Sequence, residues 1–200
     1  MKILFFDTET TGLPTNWNDP PKAWPRMVQL GFIQTVDGRP FKTFDSIIKP
    51  EGFEIPEPAS EVHGISTEFA TEYGRPLAKV LKTFGDAWRV SDMVVCHNYD
   101  FDANIMDGES FRVYGKYFVR GKPGFCTKVA STSVLKIPQP RGGGYKWPSL
   151  AELYQFCFGR GFDGAHDALN DVRATMECFF EMERRGFISQ KHIIKPRKYV

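Results

Sequence analysis

The sequence predicts a single α/β domain in which a central mixed β-sheet is flanked by helices on both sides. Three observations support this class. The 200 residues suit one compact domain. Short apolar runs of strand type fill the first 48 residues, whereas segments with helical spacing dominate from residue 76 onward. One short apolar run, at 93–96, returns between two helical segments, so we expect both parallel and antiparallel neighbours in the sheet.

The early strands are predicted from apolar runs that end at polar or turn residues. Residues 2–8 form a buried strand. Residues 26–36 and 40–48 form two further strands, and Asp37-Gly38 between them is a hairpin turn signal. The stretch 14–25, with four prolines and two tryptophans, is an unusually long loop to follow a first strand.

Helices are predicted where apolar residues recur at helical spacing, as Leu77, Val80, Leu81 and Phe84 do. The predicted helices cover residues 76–90, 100–114, 127–135, 149–158 and 168–185. Residues 50–58 are predicted to be irregular because prolines punctuate them, and only a loop is expected between the last two helices. We assign 1–190 to the domain and 191–200 to a basic C-terminal tail.

The composition is that of a soluble globular protein, with 42% hydrophobic and 25% charged residues. The formal net charge of +2 means that any positive field for a nucleic acid must be local. Four widely spaced cysteines without a CxxC pair indicate buried reduced thiols and a cytoplasmic protein. The N-terminal apolar run at 3–6 is too short for a signal peptide or a membrane span, so no membrane partner is expected.

Two acidic residues, Asp7 and Glu9, lie at and just beyond the end of the first predicted strand. Residues two apart on a strand point to the same face, so these carboxylates repel each other unless a divalent cation lies between them. The alternative is a solvated strand end. The Thr-Thr-Gly that follows favours the first interpretation, because the backbone at Gly12 can approach a ligand closely.

Three more candidates lie at the starts of predicted helices. Asp102 falls in the first turns of one helix, where Asp100 points elsewhere because residues two apart do not share a helix face. Asp171 lies one turn into the last helix, with Asp167 as its cap and His166 just before it. An imidazole changes protonation near neutral pH, as a general base should. Ordinary helix-start acids and a surface histidine are the alternatives.

Together these side chains predict a phosphodiester-cleaving site. Four carboxylates from distant stretches can hold two divalent cations, and a histidine beside them can supply the base. Hard oxygen ligands favour two Mg²⁺ or Mn²⁺ ions.

Three segments, FDTETTGLP, HNYDFD and HDALNDV, resemble in sequence and order the three motifs of the DEDDh family of 3′–5′ exonucleases. This family belongs to the ribonuclease H-like superfamily and includes the proofreading subunit of the bacterial replicase and ribonuclease T. The resemblance spans residues 1–185. It implies a ribonuclease H-like fold and two Mg²⁺ or Mn²⁺ ions. It implies metal ligation by Asp7, Glu9, Asp102 and Asp171, with His166 as the base that deprotonates the attacking water.

The resemblance also implies contacts to the terminal nucleotide. The segment EVHGIS is similar to the family's VHGI segment, so His63 and Ile65 are expected to contact the last sugar and base. The alternative is a loop histidine with a buried isoleucine. The backbone from Thr10 through Gly12 to Leu13 is expected to touch the same nucleotide, with Leu13 as an apolar wedge. Many relatives have an aspartate where this chain has Cys126 before Thr127, which affects helix capping rather than the ligands.

The predicted activity is the release of nucleoside 5′-monophosphates from the 3′ end of a nucleic acid, with single-stranded DNA as the first choice of substrate. An RNA-processing exoribonuclease and a non-catalytic nucleic-acid-binding scaffold of the same fold remain alternatives. Two basic segments could contact a single strand. One is the loop from Arg141 to Trp147, unless Trp147 docks in the core. The other is the tail with Lys191, Lys195, Arg197 and Lys198, unless it is simply solvated.

Overall fold

A computed structural model describes residues 1–140 and 142–197 of the chain. Within them six strands form one sheet in the order β3-β2-β1-β4-β5-β6. The strands are β1 (Lys2–Thr10), β2 (Met27–Val36), β3 (Arg39–Ile47), β4 (Met93–Cys96), β5 (Gly124–Cys126) and β6 (Ile193–Ile194). β1 pairs antiparallel with β2 and parallel with β4, so the expectation of a mixed sheet is confirmed.

The helices of the described chain cover both faces of this sheet. They are α1 (Glu57–His63), α2 (Thr67–Tyr73), α3 (Leu77–Val90), α4 (Tyr99–Tyr114), α5 (Thr127–Leu135), α6 (Leu150–Phe158) and α7 (Ala168–Arg184). Leu4 and Phe6 point to the face covered by α3 and α4, whereas Ile3 and Phe5 point to the face covered by α6 and α7. The two-residue alternation of β1 therefore supplies both halves of the core.

Sequence reasoning did not predict four elements. The prediction of an irregular stretch at 50–58 was wrong for its last two residues, because α1 begins at Glu57, directly after Pro56. Helix α1 buries none of its residues and α2 buries only Ala70, so neither shows a long apolar stripe. Strands β5 and β6 are three and two residues long and depend on sheet neighbours for their hydrogen bonds.

Both ends of the chain pair further into the sheet than the sequence predicted. β1 continues to Thr10, two residues further than predicted, so Glu9 lies within the strand. Residues 193–194 pair with β5 at the sheet edge, while the domain boundary at 190 stays a prediction. Arg141 and Lys198 lie outside the described residues. No helix in the described part of the chain has both the length and the apolar character needed to cross a membrane.

Candidate active site

The site begins where β1 carries Asp7 and Glu9 to one face of the sheet. β1 is a central strand, with β2 on one side and β4 on the other. Asp7 lies opposite Gly31 and Glu9 lies opposite Gln29 on β2. Ligand sites in α/β sheets collect at the carboxyl ends of parallel strands, and β1 and β4 both end here.

Helix α4 brings Asp102 against the end of β1. The Asp102 side chain is almost fully buried, with 2% of its surface exposed. Its Oδ1 accepts a hydrogen bond from the Thr8 N–H at 3.2 Å and another from the Thr8 hydroxyl at 2.9 Å. Thr8 lies between Asp7 and Glu9, so these two bonds fix the third carboxylate relative to the first two.

Helix α7 brings Asp171 to the same place because its first turn lies directly on β2. A Cβ atom at Gly31 would stand 2.6 Å from the carbonyl carbon of Ala168 and 2.7 Å from the Leu169 nitrogen. Only glycine permits this approach. Asp167 caps the helix, since its Oδ1 accepts from the Asn170 N–H at 3.0 Å.

Gln29 ties the start of this helix to the sheet. Its Nε2 donates to Asp45 Oδ1 at 2.9 Å and to Asp167 Oδ2 at 3.1 Å. Its Oε1 accepts from the Ala168 N–H at 3.2 Å. The Gln29 side chain is buried, so its three hydrogen bonds replace those it would make to water.

His166 lies at the exposed rim of the carboxylate cluster. Its N–H donates to Asp171 Oδ2 at 3.3 Å, and one ligand atom each from Glu9, His166 and Asp171 lies within 4.8 Å of the others. The backbone of His166 is left-handed, with φ of 68°. A non-glycine residue in this conformation carries about 1–3 kcal/mol of strain, and such strain concentrates at functional sites.

Burial raises the pKa values of all four carboxylates, and the charges of neighbouring carboxylates add to this effect at Asp7 and Glu9. Burial, followed by the charges of Asp102, Asp171 and Glu9, raises the pKa of Asp7 well above its ordinary value. Burial and then the charges of Asp171 and Asp102 raise the pKa of Glu9 to about 8. Burial is also the first cause that raises the pKa of Asp102 to about 7 and that of Asp171 to about 6. All four groups therefore share one region of negative potential.

The residues present fit divalent cations. Asp171 Oδ1 is buried and has no hydrogen-bond partner among residues 1–140 and 142–197, so it needs a ligand or a proton. The four carboxylates offer hard oxygen donors, the set that Mg²⁺ and Mn²⁺ prefer. A positive ion between them would offset the carboxylate charges that help to raise the pKa values of Asp7 and Glu9.

A cavity of about 330 Å³ adjoins the carboxylates. Four of the five residues predicted to contact the nucleotide line it, namely Thr10, Gly12, Leu13 and His63. Leu13 projects into solvent with 74% of its surface exposed, as an apolar wedge would. His63 Nδ1 accepts from the Ile65 N–H at 3.2 Å, which fixes the imidazole, and burial lowers the pKa of His63.

Ile65 does not line this cavity. The residue is 6% exposed and packs with Val28, Ile55 and Ala70 in a small core cluster beneath α2. The predicted contact of its side chain with the nucleotide therefore has no support in the geometry. The Ile65 N–H does contact the site, through its hydrogen bond to His63 Nδ1.

Sequence reasoning missed three residues that shape the site. Phe101, next to Asp102, lines the nucleotide cavity. Thr8 and Gln29 hold Asp102 and the start of α7, respectively. A usable signal for Gln29 was its place in MVQLGFIQTV, since an amide in a buried apolar strand needs polar partners.

Cys126 stands where many relatives have an aspartate, and it does not cap helix α5 with its side chain. Thr127 instead contacts the half-buried His97, whose Nδ1 lies 2.9 Å from Thr127 Oγ1 and whose Nε2 lies 3.1 Å from the Pro148 carbonyl oxygen. Burial lowers the pKa of His97 to about 4. His97 therefore stays neutral and joins the start of α5 to the loop before α6.

Comparison with known proteins places this geometry among nucleic-acid-processing enzymes. Residues 4–179 match the model of a protein family described as Exonuclease. The DNA polymerase III subunit epsilon of Buchnera aphidicola is 26% identical over 202 residues, covering 99% of this chain and 82% of that protein. The DNA polymerase III PolC-type of Streptococcus pneumoniae is 26% identical over 189 residues, covering 94% of this chain but 11% of that protein.

The fold has counterparts among solved structures. E. coli Exonuclease I in complex with a dT13 oligonucleotide superposes with a TM-score of 0.74 at 19% identity, over 92% of this chain and 41% of that one. The likeness confirms the ribonuclease H-like expectation for the fold. The chain thus spans most of the epsilon relative and less than half of Exonuclease I.

Proposed function

The chain belongs to the exonuclease family, as its resemblance to the DEDDh enzymes predicted, and we propose that it shortens single-stranded DNA from the 3′ end with two bound divalent cations. As a member of this metal-dependent family it is a 3′–5′ exonuclease. The proposal concerns the substrate, the number and identity of the ions, and the role of each side chain.

The convergence of Asp7, Glu9, Asp102 and Asp171 beside His166 is the observation that carries the proposal. Four close carboxylates with raised pKa values are unfavourable as anions in the protein alone and become favourable with two dications. The orphaned Asp171 Oδ1 supports the same role. Mg²⁺ and Mn²⁺ are the ions of choice, because the donors are carboxylate oxygens.

Two dications, when bound, would lower the pKa of a water molecule and stabilise the attacking and leaving oxygens. His166 would accept the proton of that water, because its imidazole lies at the rim next to Glu9 and Asp171. The Thr8 N–H and hydroxyl hold Asp102 in place as charge develops. The product is a nucleoside 5′-monophosphate.

The cavity beside the carboxylates suits one unpaired nucleotide. Leu13 and Phe101 give it apolar walls for a base and sugar, and His63 adds a fixed imidazole. A base must leave its duplex to enter such a cavity, which favours a single-stranded end. Relatives support DNA, since one is a DNA polymerase III subunit and the superposed Exonuclease I carries a dT13 oligonucleotide.

The test is a panel of matched DNA and RNA oligonucleotides, labelled at the 5′ or the 3′ end, with Mg²⁺ or chelator. We expect single-nucleotide shortening from the 3′ end, faster on DNA, and none with chelator. Asp7→Asn should abolish cleavage, whereas Glu72→Gln on the exposed surface of α2 should not. Cleavage that persists in Asp7→Asn would overturn the mechanism, and faster cleavage of RNA would reassign the substrate.

We also propose a cytoplasmic location. The support is that Cys96, Cys126, Cys157 and Cys178 are all buried and free, as is usual for proteins of reducing compartments.

A further inference from the structure

A second cavity, of about 430 Å³, lies between two exposed tryptophans near the start of α4. Trp17 comes from the long loop after β1 and is 55% exposed, while Trp147 comes from the loop before α6 and is 65% exposed. Trp147 is therefore not docked in the core, the alternative left open by the sequence. We define the Trp17–Trp147 groove as this cavity with its two tryptophan walls.

Trp147 is held in place although its ring faces solvent. On one side of it Lys146 pairs with Glu152, and on the other the Pro148 carbonyl oxygen lies 3.1 Å from His97 Nε2. A large aromatic ring that is both exposed and anchored is unusual for a surface loop and is suited to stacking on a ligand.

The groove carries a positive charge. Lys128 lines it, with its Nζ 5.1 Å above the centre of the Trp147 ring. In the described part of the chain no carboxylate lies within 4 Å of that amine. Asp100 also lines the groove, but Arg120 Nη1 lies 2.8 Å from its carboxylate and compensates its charge.

Asn98 adds a polar group to the same wall. It occupies the N-cap position of α4, yet its side chain caps none of the helix N–H groups. Asparagine at this position ordinarily makes that bond. Its amide lines the groove, where a phosphate or base edge is a suitable partner.

The groove adjoins the cavity assigned to the terminal nucleotide. The Trp17 ring centre lies 6.2 Å from that of Phe101, and Phe101 lines the nucleotide cavity. The two cavities are thus separated by a wall of two aromatic rings. A 3′–5′ exonuclease holds the 3′ terminus at its cations, so any further subsite must take nucleotides on the 5′ side.

We propose that the Trp17–Trp147 groove binds the single strand 5′ of the scissile nucleotide, with a base stacked on Trp147 and a phosphate near Lys128. This inference rests on the proposed function. Stacking on an aromatic face together with a nearby cation is how proteins bind single strands without sequence preference, because every base has a π-face. The groove would thus determine the preference for strands over single nucleotides.

The test compares two substrates that differ in how far they extend from the cation site. The p-nitrophenyl ester of thymidine 5′-monophosphate fills only the cation site and its cavity, whereas a ten-residue oligothymidylate also reaches the groove. Trp147→Ala should lower kcat/KM on the oligonucleotide roughly 5- to 100-fold and leave the ester unchanged. Trp147→Phe should retain most of the activity. Phe41→Ala, at an equally exposed aromatic on edge strand β3, is the matched control.

Trp147 is the informative position because Trp17 also contacts Phe101 and Trp24. Equal kcat/KM of Trp147→Ala and wild type on the oligonucleotide would overturn the groove. A wild type that cleaves neither substrate would overturn the proposed function instead. In that event, oligonucleotide binding still tests the groove and is measured in Ca²⁺ by the fluorescence anisotropy of 5′-labelled oligothymidylate. The proposal requires that Trp147→Ala bind the oligonucleotide more weakly than wild type does.

Discussion

Gly31 and Ala168 are in backbone contact: a Cβ atom at Gly31 would stand 2.6 Å from the Ala168 carbonyl carbon. This contact sets the distance between the central sheet and the helix that carries Asp171. Because Asp7 lies opposite Gly31 across the β1–β2 pair, the same glycine fixes the separation of two carboxylates that come from opposite ends of the chain.

Gly31→Ala should displace the first turn of α7 and separate Asp171 from Asp7. Overpacking of this kind costs about 1–3 kcal/mol of folding stability. A misplacement of about 1 Å at a catalytic group can lower the rate roughly 100-fold. Chemical denaturation and exonuclease rates measure the two effects.

Gly85→Ala is the matched control, because Gly85 lies in α3 and no neighbouring atom of residues 1–140 and 142–197 stands within 4 Å of its Cβ position. Alanine in a helix interior should stabilise the protein by about 0.5–1 kcal/mol there and leave the rate unchanged. A Gly31→Ala variant with wild-type activity would show that the contact does not position Asp171.

Asp102→Asn should abolish cleavage and make the thermal stability of the metal-free protein less dependent on pH. Burial raises the pKa of Asp102 from 3.8 to about 7. Between these values the folded protein keeps a proton that the unfolded chain has released, so rising pH favours unfolding. The wild type in chelator should therefore lose thermal stability from pH 5 to pH 8, and Asp102→Asn should lose less.

Asparagine preserves the geometry, since its Oδ1 can still accept from the Thr8 N–H and hydroxyl. Glu51→Gln, on an exposed turn, serves as the control and should follow the wild type. Added Mn²⁺ should restore the wild-type melting temperature chiefly at pH 8. A melting temperature that is flat from pH 5 to pH 8 in chelator would contradict the assignment of a buried carboxylate cluster.

His166→Asn should lower kcat roughly 10²- to 10⁴-fold with little change in KM, because it removes a general base. Asparagine is the informative substitution, since it tolerates the left-handed backbone at φ of 68° better than alanine does. Mn²⁺ titration by calorimetry provides the second measurement. Binding should persist, and its loss would instead make His166 a metal ligand beside Glu9 and Asp171.

Asp171→Asn should weaken Mn²⁺ binding more than the roughly 10–100-fold that follows loss of an outer-shell partner. The reason is that Asp171 Oδ1 is buried without a protein hydrogen bond within the described residues, so its charge is available to an ion. Calorimetry of the wild type should show two sites. A single site whose affinity is unchanged in Asp171→Asn would contradict the two-ion proposal.

Much of the fold followed from local pattern. The strands and helices with a long apolar face were predicted within two residues of their bounds, as α3 and β4 illustrate. The missed elements have no such signal: β5 and β6 exist because neighbouring strands complete their hydrogen bonds, and α1 buries no side chain. Edge pairing of this kind depends on the tertiary fold and is not encoded in a short segment.

In the candidate site, too, some residues were predicted from local pattern and others depend on tertiary contacts. Acidic residues in motif order predicted the cluster, and the charges of Asp102, Asp171 and Glu9 all raise the pKa of Asp7. The residues that hold them, Thr8, Gln29 and Gly31, act through contacts more than 90 residues away along the chain. A local pattern can indicate that a buried amide such as Gln29 needs polar partners, but it does not identify those partners. At Ile65 the motif position alone did not define the direction of the side chain, which lies in a small core cluster.

A substitution at Gln29 distinguishes the positioning of α7 from a general effect on folding stability. Gln29→Met would leave Asp167 and the Ala168 N–H without their buried partner, which costs about 1–3 kcal/mol for each unsatisfied group. Because these groups fix the start of α7, kcat should fall about tenfold or more. Gln34→Met on the same strand is the control, since its amide binds the Ala87 carbonyl and the Ser91 hydroxyl far from the cluster. It should lose similar stability yet keep its kcat, and an equal loss of kcat in both variants would reduce Gln29 to a structural residue.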